Sequence, residues 1–542
     1  MSFVKLKGCD RELKHSEKQG FLHGAAVLAA SGIIVKVLGA CFKIPIGAIL
    51  KPEGMAVFSI AYNIYALLFV LSTAGVPVAV SKMIAHTQAI GRGWESGRIY
   101  RISLAFFAAI GAVASAVMYV GAFGFARMMS GSGSEAAIRA VAPAVFFVSV
   151  SAVSRGYYQG LSDMYPTAKS QVLEAFGKLA VGFGAAWFLN KNGFGSSIVA
   201  AGAVFGVSVG ALLSAVYLAA IGKRRRKEQK PKFEVPKSGK KIISELVGLS
   251  VPITLGAAVI SLTNVIDSAL VMKLLQKTGY AQRESMWLYG AYSYACNLFN
   301  LPSALITTLG VSLIPKISAA YAVRNYNELN KTSQSAVGLA MLAALPSAAG
   351  LFVLAEPVMD LLYGHSIDRD AIVLSGKLLA YLAVAIPAMG TVTVTNAIHQ
   401  ACGNVKLPVV SMLFGAVVKL MANYFFVGIP EINIKGAAIG TILCYTVIAV
   451  VNCAAFARHG MRISFAKTFL KPAILALVTG GVAAGVFSCF AGGDFARIGA
   501  VAAVFAGMCA CGVCALTVGA VGEDERKCVF KGGEISKFLK IH

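Results

Sequence analysis

The chain has 542 residues, of which 57% are hydrophobic and only 13% are charged, and its formal net charge is +25. A soluble protein carries about 25% charged residues, so this composition excludes an ordinary soluble domain and indicates a protein with many membrane spans. The positive charge would suggest a nucleic-acid partner in a soluble protein, but here the basic residues must first be compared with the positions of the spans.

Fourteen apolar segments follow one another along the chain, and most are close to the roughly 20 residues that cross a bilayer as a helix. The first 23 residues are polar and basic. The apolar segment after them is too long for a signal peptide and has no clear cleavage site, so we expect a retained first helix. The segments lie near residues 24–50, 55–76, 102–126, 141–160, 171–190, 197–221, 246–272, 287–314, 334–354, 371–398, 407–428, 434–456, 470–490 and 496–519.

The distribution of basic residues predicts the orientation in the membrane. With the N-terminus inside, most Lys and Arg residues fall in cytoplasmic segments, as the positive-inside rule requires. The loop 222–241 alone holds ten of the 49, and we interpret it as a topology anchor and linker that attracts anionic lipid. The sequence therefore predicts a multi-pass protein of the cytoplasmic membrane, with both termini cytoplasmic and no nucleic-acid partner.

An internal repeat divides the predicted helices. The block "STAGVPVAVSK" (72–82) resembles "TTLGVSLIPK" (307–316), and "GAVFG" (202–206) resembles "GAAIG" (436–440). We predict an all-α fold of two six-helix lobes in parallel repeat around a central cavity, with helices 13 and 14 added and the site between the lobes. The predicted parts are a cytoplasmic segment (1–23), the N-lobe (24–221), a basic cytoplasmic loop (222–245), the C-lobe (246–456), helices 13 and 14 (457–519) and a cytoplasmic tail (520–542).

Two lysines lie inside the first apolar segment, within "SGIIVKVLGACFKIPIGAIL" (31–50). A lysine at the centre of a bilayer costs about 2.5–3.5 kcal/mol on the insertion scale. On a helix, Lys36 and Lys43 share one face with Gly32, Gly39 and Gly47. We expect this face, the glycine–lysine stripe, to line protein or water rather than lipid, and its lysines to bind an anionic substrate.

Further charged and polar side chains within predicted spans complete a candidate site with more positive than negative charge. Glu174 and Lys178 are spaced i, i+4 and could neutralise each other, and Asp267 could act as a gating latch, a substrate contact or an ion-coupling group. Snorkelling towards the interface is an alternative for Arg155 and for the lysines of the stripe. The candidate substrate-binding residues are Lys36, Lys43, Arg155, Lys178, Asn264, Asp267 and Lys419, and the candidates for gating or ion coupling are Glu174 and Asp267.

Two other clusters are interpreted as structural. The CxxC of Cys511 and Cys514 lies in an apolar segment without two further ligands nearby, so we expect helix packing and no metal site. The acidic stretch "EPVMDLLYGHSIDRD" (356–370) is interpreted as a solvated outer rim. No loop is long enough to fold as a catalytic domain, and we expect neither an enzyme nor a cofactor.

The stretch "SGIIVKVLGACFKIPIGAILKPEGMAVFSIAYNIYALLFVLSTAGVPVAVSK" (31–82) resembles the opening of the stage V sporulation protein B family. Supporting blocks are "YYQGLSDMYPTA" (157–168), "NLPSALITTLGVSLIPKIS" (300–318) and "GAAIGT" (436–441), and the resemblance covers nearly the whole chain. That family belongs with the MurJ-type and polysaccharide-export flippases of the MOP superfamily. The resemblance implies a central cavity between two lobes and translocation of undecaprenyl-pyrophosphate-linked sugars, lipid II above all.

Residue by residue, the resemblance places Lys36 where MurJ-type flippases usually carry an arginine, and Lys43 within one residue of a second such arginine. The helix-2 arginine has no counterpart in "YALLFVLSTAG" (65–75), and the acid–arginine pair of helix 8 is replaced around Cys296 and Asn297. Anion binding is therefore expected to depend more on the two lysines, or the substrate differs from that of the family.

We expect a monomeric flippase among membrane lipids that moves a lipid-linked oligosaccharide by alternating access, without a cofactor but with coupling to the membrane potential or an ion gradient. Lipid II is favoured over a teichoic-acid or capsule repeat unit. A MATE-type drug or cation antiporter is the main alternative, and it would need a site centred on the carboxylates of Asp267 and Glu174.

Overall fold

The computed structural model describes residues 3–129, 133–225, 238–404, 406–458, 465–490 and 495–517. Within these residues every regular element is a helix. The predicted tail (520–542) and residues 226–237 of the basic loop lie outside the described residues. The helices are α1 (Phe3–Thr73), α2 (Val76–Ala89), α3 (Ser96–Val120), α4 (Ala122–Met128), α5 (Glu135–Gly160), α6 (Tyr165–Lys191), α7 (Ser196–Arg225), α8 (Gly239–Lys277), α9 (Gln282–Ala322), α10 (Tyr326–Val353), α11 (Ala355–Tyr363), α12 (Arg369–Val384), α13 (Ile386–Ala401), α14 (Lys406–Val427), α15 (Lys435–Arg458), α16 (Phe465–Ser488) and α17 (Ala496–Thr517).

The predicted all-α membrane fold is confirmed, but the predicted count of 14 spans is not. In the described part of the chain, 11 helices are long and apolar enough to cross a membrane, or up to 12 if the bent pair α12–α13 is one span. The difference arises in α1 and α9. The first two predicted spans lie together in Ala30–Ala89, which includes α2 and counts as one candidate span, and α9 is not among the helices that qualify.

A sharp break divides α1 where the sequence predicts a boundary between two spans. Lys51 has φ 56° and ψ 170°, a left-handed φ that is uncommon for a residue with a side chain. Pro52 follows, and its ring disfavours helical geometry at the residue before it. Gly290 packs against this break so closely that a Cβ there would lie 1.9 Å from the Pro52 carbonyl oxygen.

The chain forms two compact units, residues 1–293 and 294–542. The first unit holds α1 to α8 and the beginning of α9, so it includes a helix that the sequence assigns to the C-lobe. Helices α6 and α7 approach at glycines, because a Cβ on Gly206 would lie 2.4 Å from the Cα of Gly182. Small residues of this kind let membrane helices come into backbone contact.

The second unit holds the rest of α9 and α10 to α17. Glycine again permits close packing, since a Cβ on Gly415 of α14 would lie 2.4 Å from the Ile448 side chain of α15. The last two helices, α16 and α17, pack against α10 and α11 through a small core of Leu354, Ala483 and Ala503. The predicted division into lobes remains a prediction, because the units describe compactness rather than repeat boundaries.

Candidate functional site

The glycine–lysine stripe runs from an exposed to a buried part of α1. Lys36 is exposed and Lys43 is half-buried. A Cβ added at Gly32 or Gly39 would meet nothing within 4 Å. These two glycines therefore face open space, and they do not serve the close helix contact that small residues often make.

A row of aromatic rings follows the break in α1. Phe58 and Tyr62 stack with ring centres 5.8 Å apart, and Tyr65 lies 5.8 Å beyond Tyr62. The spacing of three and four residues places these side chains on one face of the helix. Phe42, from the helical segment before the break, contacts Phe58 at 6.1 Å. The row thus joins the segment that carries the lysine stripe to the segment after the break.

Two ammonium groups converge on one ring of this row. The Lys43 nitrogen lies 5.6 Å from the centre of the Tyr62 ring. The Lys178 nitrogen, from α6, lies 4.8 Å from the same centre and 4.9 Å from the Phe42 ring. All three distances are within the roughly 6 Å over which a cation is attracted to an aromatic face. The two cations therefore lie at most about 10 Å apart, the sum of their distances to Tyr62.

Glu174, one turn before Lys178 on α6, is already paired. Arg155 of α5 donates to the Glu174 carboxylate at 2.7 Å, with side chains that are 12% and 24% exposed. The same guanidinium donates to Ser170 and Ser214, each at 3.0 Å. Arg155 of α5 is thus held against α6 and α7 by three hydrogen bonds.

The predicted neutralisation of Glu174 by Lys178 is not what the described residues show. Glu174 pairs with Arg155 instead, and the Lys178 ammonium turns to the aromatic rings. Because one negative and one positive charge cancel within the pair, the charge of Lys178 is not compensated by its own helix. An ammonium held by neutral rings keeps its attraction for an anion.

Asp267 lies on α8, beside a buried hydrogen-bond network. Its side chain is 6% exposed. The adjacent Ser268 hydroxyl accepts from Asn63 at 2.8 Å and from Tyr289 at 2.6 Å. Asn264, one turn earlier, is exposed and accepts through its carbonyl oxygen from Ser268. This network connects α1, α8 and α9 around the carboxylate-bearing turn.

The remaining sequence-predicted residues divide between the two units. Lys419 is half-buried on α14 in the second unit. Cys511 and Cys514 are half-buried on α17, and the described residues hold no group of three or more potential metal ligands. Sequence reasoning missed Tyr62 as the ring shared by two cations. The aromatic spacing of "FSIAYNIY" (58–65) was the signal that could have found it.

The described helices and this half-buried, mainly cationic cluster define a multi-pass helical membrane protein of the transporter class that includes the MOP superfamily. The chain belongs to the polysaccharide biosynthesis protein family, whose sequence model matches residues 21–321, more than half of the chain. The MatE family model matches residues 252–425.

Curated relatives from Bacillus subtilis (strain 168) are similar over most of the chain. Lipid II flippase MurJ is 27% identical, over 85% of this chain and 86% of its own length. Stage V sporulation protein B is 27% identical, over 81% of this chain and 83% of its own length. The resemblance inferred from the quoted blocks is thereby confirmed.

Solved structures share the fold at low identity. A structure of the lipid II flippase MurJ in an inward closed conformation aligns with a TM-score of 0.66 and 16% identity, over 92% of this chain and 99% of that one. An inward-facing multidrug MATE transporter of the MOP superfamily aligns with a TM-score of 0.65 and 18% identity, over 79% and 94%. These alignments establish the fold.

Proposed function

We propose that this protein is a flippase that carries an undecaprenyl-pyrophosphate-linked sugar precursor, with lipid II as the favoured cargo, across the cytoplasmic membrane. The observation that carries the proposal is the convergence of Lys43 and Lys178 on the Tyr62 ring. A pyrophosphate needs cations, and lysine supplies them as mobile point charges. Two ammonium groups on one ring can hold such a headgroup from two sides.

The charge balance around this cluster supports an anionic cargo. Glu174 is paired with Arg155, so its carboxylate does not neutralise Lys178, four residues later on the same helix. Lys36, two stripe positions before Lys43 on a face that opens at Gly39, is a suitable first contact for the headgroup. A lipid tail can stay in the bilayer while the charged headgroup crosses, because only the headgroup requires a polar path.

The relatives support the substrate class. Flippases and sporulation proteins are similar to this chain along most of its length, and its family is named for polysaccharide biosynthesis. We infer transport without covalent chemistry, by alternating access of two lobes, in a protein whose termini are both cytoplasmic. A membrane potential of 100 mV supplies about 2.3 kcal/mol per charge, enough to help reset an empty cationic site.

A second candidate is a drug or organic-cation antiporter, and the match of the MatE family model to residues 252–425 favours it. That activity requires an accessible carboxylate to bind a cation. In the first unit Glu174 is paired and Asp267 is 6% exposed, so the anion site is better supported. A flippase for another lipid-linked polysaccharide unit would use the same cations.

The test is a complementation experiment in bacteria that have been depleted of their own lipid II flippase. The parent chain is expressed beside Lys43→Ala and Lys178→Ala, with Lys277→Ala as the matched control, since Lys277 is exposed at the end of α8. All variants are first adjusted to equal membrane abundance. We expect growth with the parent and the control, and failure with the two site variants.

Each other outcome discriminates among the candidates. Growth with all four chains would retain lipid II transport but remove the headgroup role from the two lysines. No growth with the well-expressed parent would reject lipid II as the cargo, and a drug-efflux assay on the same cells would then test the antiporter.

A further inference from the structure

A cavity of about 530 Å³ lies in the second unit, outside the cationic cluster described above. It is formed where the ends of α10 and α16 meet α11, α12 and the first residue of α17. Four charged side chains line it, Glu356, Asp360, Arg369 and Lys377, together with apolar side chains that include Phe352. A cavity of this size is within the range of about 300–1,000 Å³ that holds a small ligand or a lipid headgroup.

Both carboxylates of the cavity are paired with arginines. Arg369 donates to Glu356 and lies 3.7 Å from Asp360. Arg497, at the beginning of α17, donates to the other oxygen of Asp360 at 3.2 Å. The acidic stretch is therefore more than the solvated rim that the sequence suggests. It is an ion-pair network that joins α11, α12 and α17.

Lys377 also lines the cavity but takes no part in this ion-pair network. Among the described residues it makes no ion pair and no hydrogen bond, although its side chain lines the cavity. It lies eight residues into α12, about 12 Å along the helix, in the first half of a candidate span. A charge at such a depth is normally paired or reaches the level of the lipid phosphates.

The wall beside Lys377 is apolar. Phe352 and Val353, at the end of α10, are 54% and 38% exposed. Phe487 of α16 and Ala380, one turn beyond Lys377, also line the cavity. The cavity thus combines a cationic end with exposed aromatic and aliphatic surface. This combination matches a molecule that carries an anionic head and a hydrocarbon chain.

We propose that this cavity is a binding site for an anionic phospholipid. Its phosphate lies against Lys377 and Arg369, and the upper part of an acyl chain covers Phe352 and Phe487. A free phosphate ion would leave the aromatic wall bare, and a zwitterionic lipid would bring a second cation towards Lys377. The proposal does not depend on which cargo the protein transports.

The test uses the full-length protein in detergent with an equimolar mixture of phosphatidylglycerol and phosphatidylcholine of the same chain length. Native mass spectrometry counts the lipids of each kind that stay bound. The variants are Lys377→Gln, Lys377→Arg and, as the matched control, Lys277→Gln. Thermal unfolding in phosphatidylcholine alone verifies that every variant is folded.

We expect the parent, Lys277→Gln and Lys377→Arg to retain one phosphatidylglycerol in preference to phosphatidylcholine. The preference should fall about fivefold in Lys377→Gln, the attraction of one lysine for an anionic headgroup. Equal retention of both lipids by the parent, or an unchanged preference in Lys377→Gln, would overturn the proposal.

Discussion

The Lys178 ammonium lies 4.8 Å from the centre of the Tyr62 ring, although the two residues are on different helices. The same ring lies 5.6 Å from the Lys43 nitrogen. Tyr62 is therefore the neutral group that keeps two like charges in one place. Each cation–π contact is worth about 0.5–2 kcal/mol, which offsets part of the repulsion between the lysines.

Tyr62→Leu should weaken binding of a pyrophosphate lipid by about 0.5–2 kcal/mol, because both ammonium groups lose the face that positions them. Tyr62→Phe keeps the ring and should bind as the parent does. Titration of the purified protein with a fluorescent polyprenyl-pyrophosphate measures the affinity. Equal weakening in both variants would assign the effect to the phenolic hydroxyl and not to the ring.

Arg155→Met should destabilise the protein strongly, because it leaves the Glu174 carboxylate without its partner in a site that is 24% exposed. Breaking a buried pair on one side costs about 3–5 kcal/mol, whereas replacing both members by apolar residues is often neutral. Thermal unfolding in detergent should therefore show recovery in the double variant Arg155→Met, Glu174→Leu.

The matched control for that experiment is the exposed pair Arg283–Glu53, in which the arginine side chain is 88% exposed. Surface pairs contribute about 0–1 kcal/mol, so Arg283→Met should have little effect. A loss in Arg283→Met as large as that in Arg155→Met would contradict the assignment of Arg155 to a buried structural pair.

The helical fold and the presence of a cationic cluster could be predicted from the sequence, because both depend on local patterns. Apolar runs long enough to span a bilayer require helices. The stripe of Lys36 and Lys43 follows from helical periodicity alone. The break at Lys51 was also predictable, since Pro52 disfavours a helical residue before it.

The partner of Glu174 could not be predicted, because it depends on tertiary packing. The i, i+4 spacing to Lys178 is equally satisfied in the sequence, but Arg155 approaches from α5 and takes the carboxylate. The count of spans failed for a related reason. Because the chain is helical on both sides of the break at Lys51, two predicted spans fall within the single candidate span Ala30–Ala89.

Two neighbouring glycines of α6 should differ sharply when replaced by alanine. A Cβ at Gly182 would lie 2.7 Å from the Ala203 carbonyl oxygen and 2.8 Å from the Phe42 ring, whereas a Cβ at Gly184 would meet nothing within 4 Å. Gly182→Ala should cost about 1–3 kcal/mol through overpacking. Gly184→Ala should be neutral or stabilising by up to about 1 kcal/mol. Chemical or thermal unfolding in detergent measures both, and equal effects would contradict the α6–α7 packing described.

Tyr363→Phe should leave the stability unchanged or raise it. The Tyr363 hydroxyl is buried with no hydrogen-bond partner among the described residues, and such a group costs about 1–3 kcal/mol. The Tyr294 ring contact at 4.8 Å is available to phenylalanine as well. The contrasting variant is Tyr289→Phe, which removes a donor to Ser268 and should cost about 1 kcal/mol.

Burial raises the pKa of Tyr363 above its ordinary value. The folded state therefore favours the neutral hydroxyl. Titration of Tyr363 has no effect on stability below the ordinary tyrosine pKa of about 10, and it lowers stability only as the pH rises beyond that value. The difference in melting temperature between the parent and Tyr363→Phe should stay constant between pH 6 and pH 9, because this interval lies below the ordinary tyrosine pKa of about 10. A divergence within that interval would show that the hydroxyl has a partner that titrates.

Asp267→Asn should slow translocation without unfolding the protein. The side chain is 6% exposed and adjoins Ser268, which ties α8 to α1 and α9, and asparagine preserves its shape while removing the charge. If Asp267 couples transport to the potential or to an ion, the rate of headgroup transfer in energised vesicles should fall about fivefold or more. The same substitution at the exposed Asp368, which makes no capping hydrogen bond at the beginning of α12, should have no effect. An unchanged rate in Asp267→Asn at equal abundance would remove this carboxylate from the coupling mechanism, because the substitution removes its charge and its ability to bind a proton or a cation as a carboxylate.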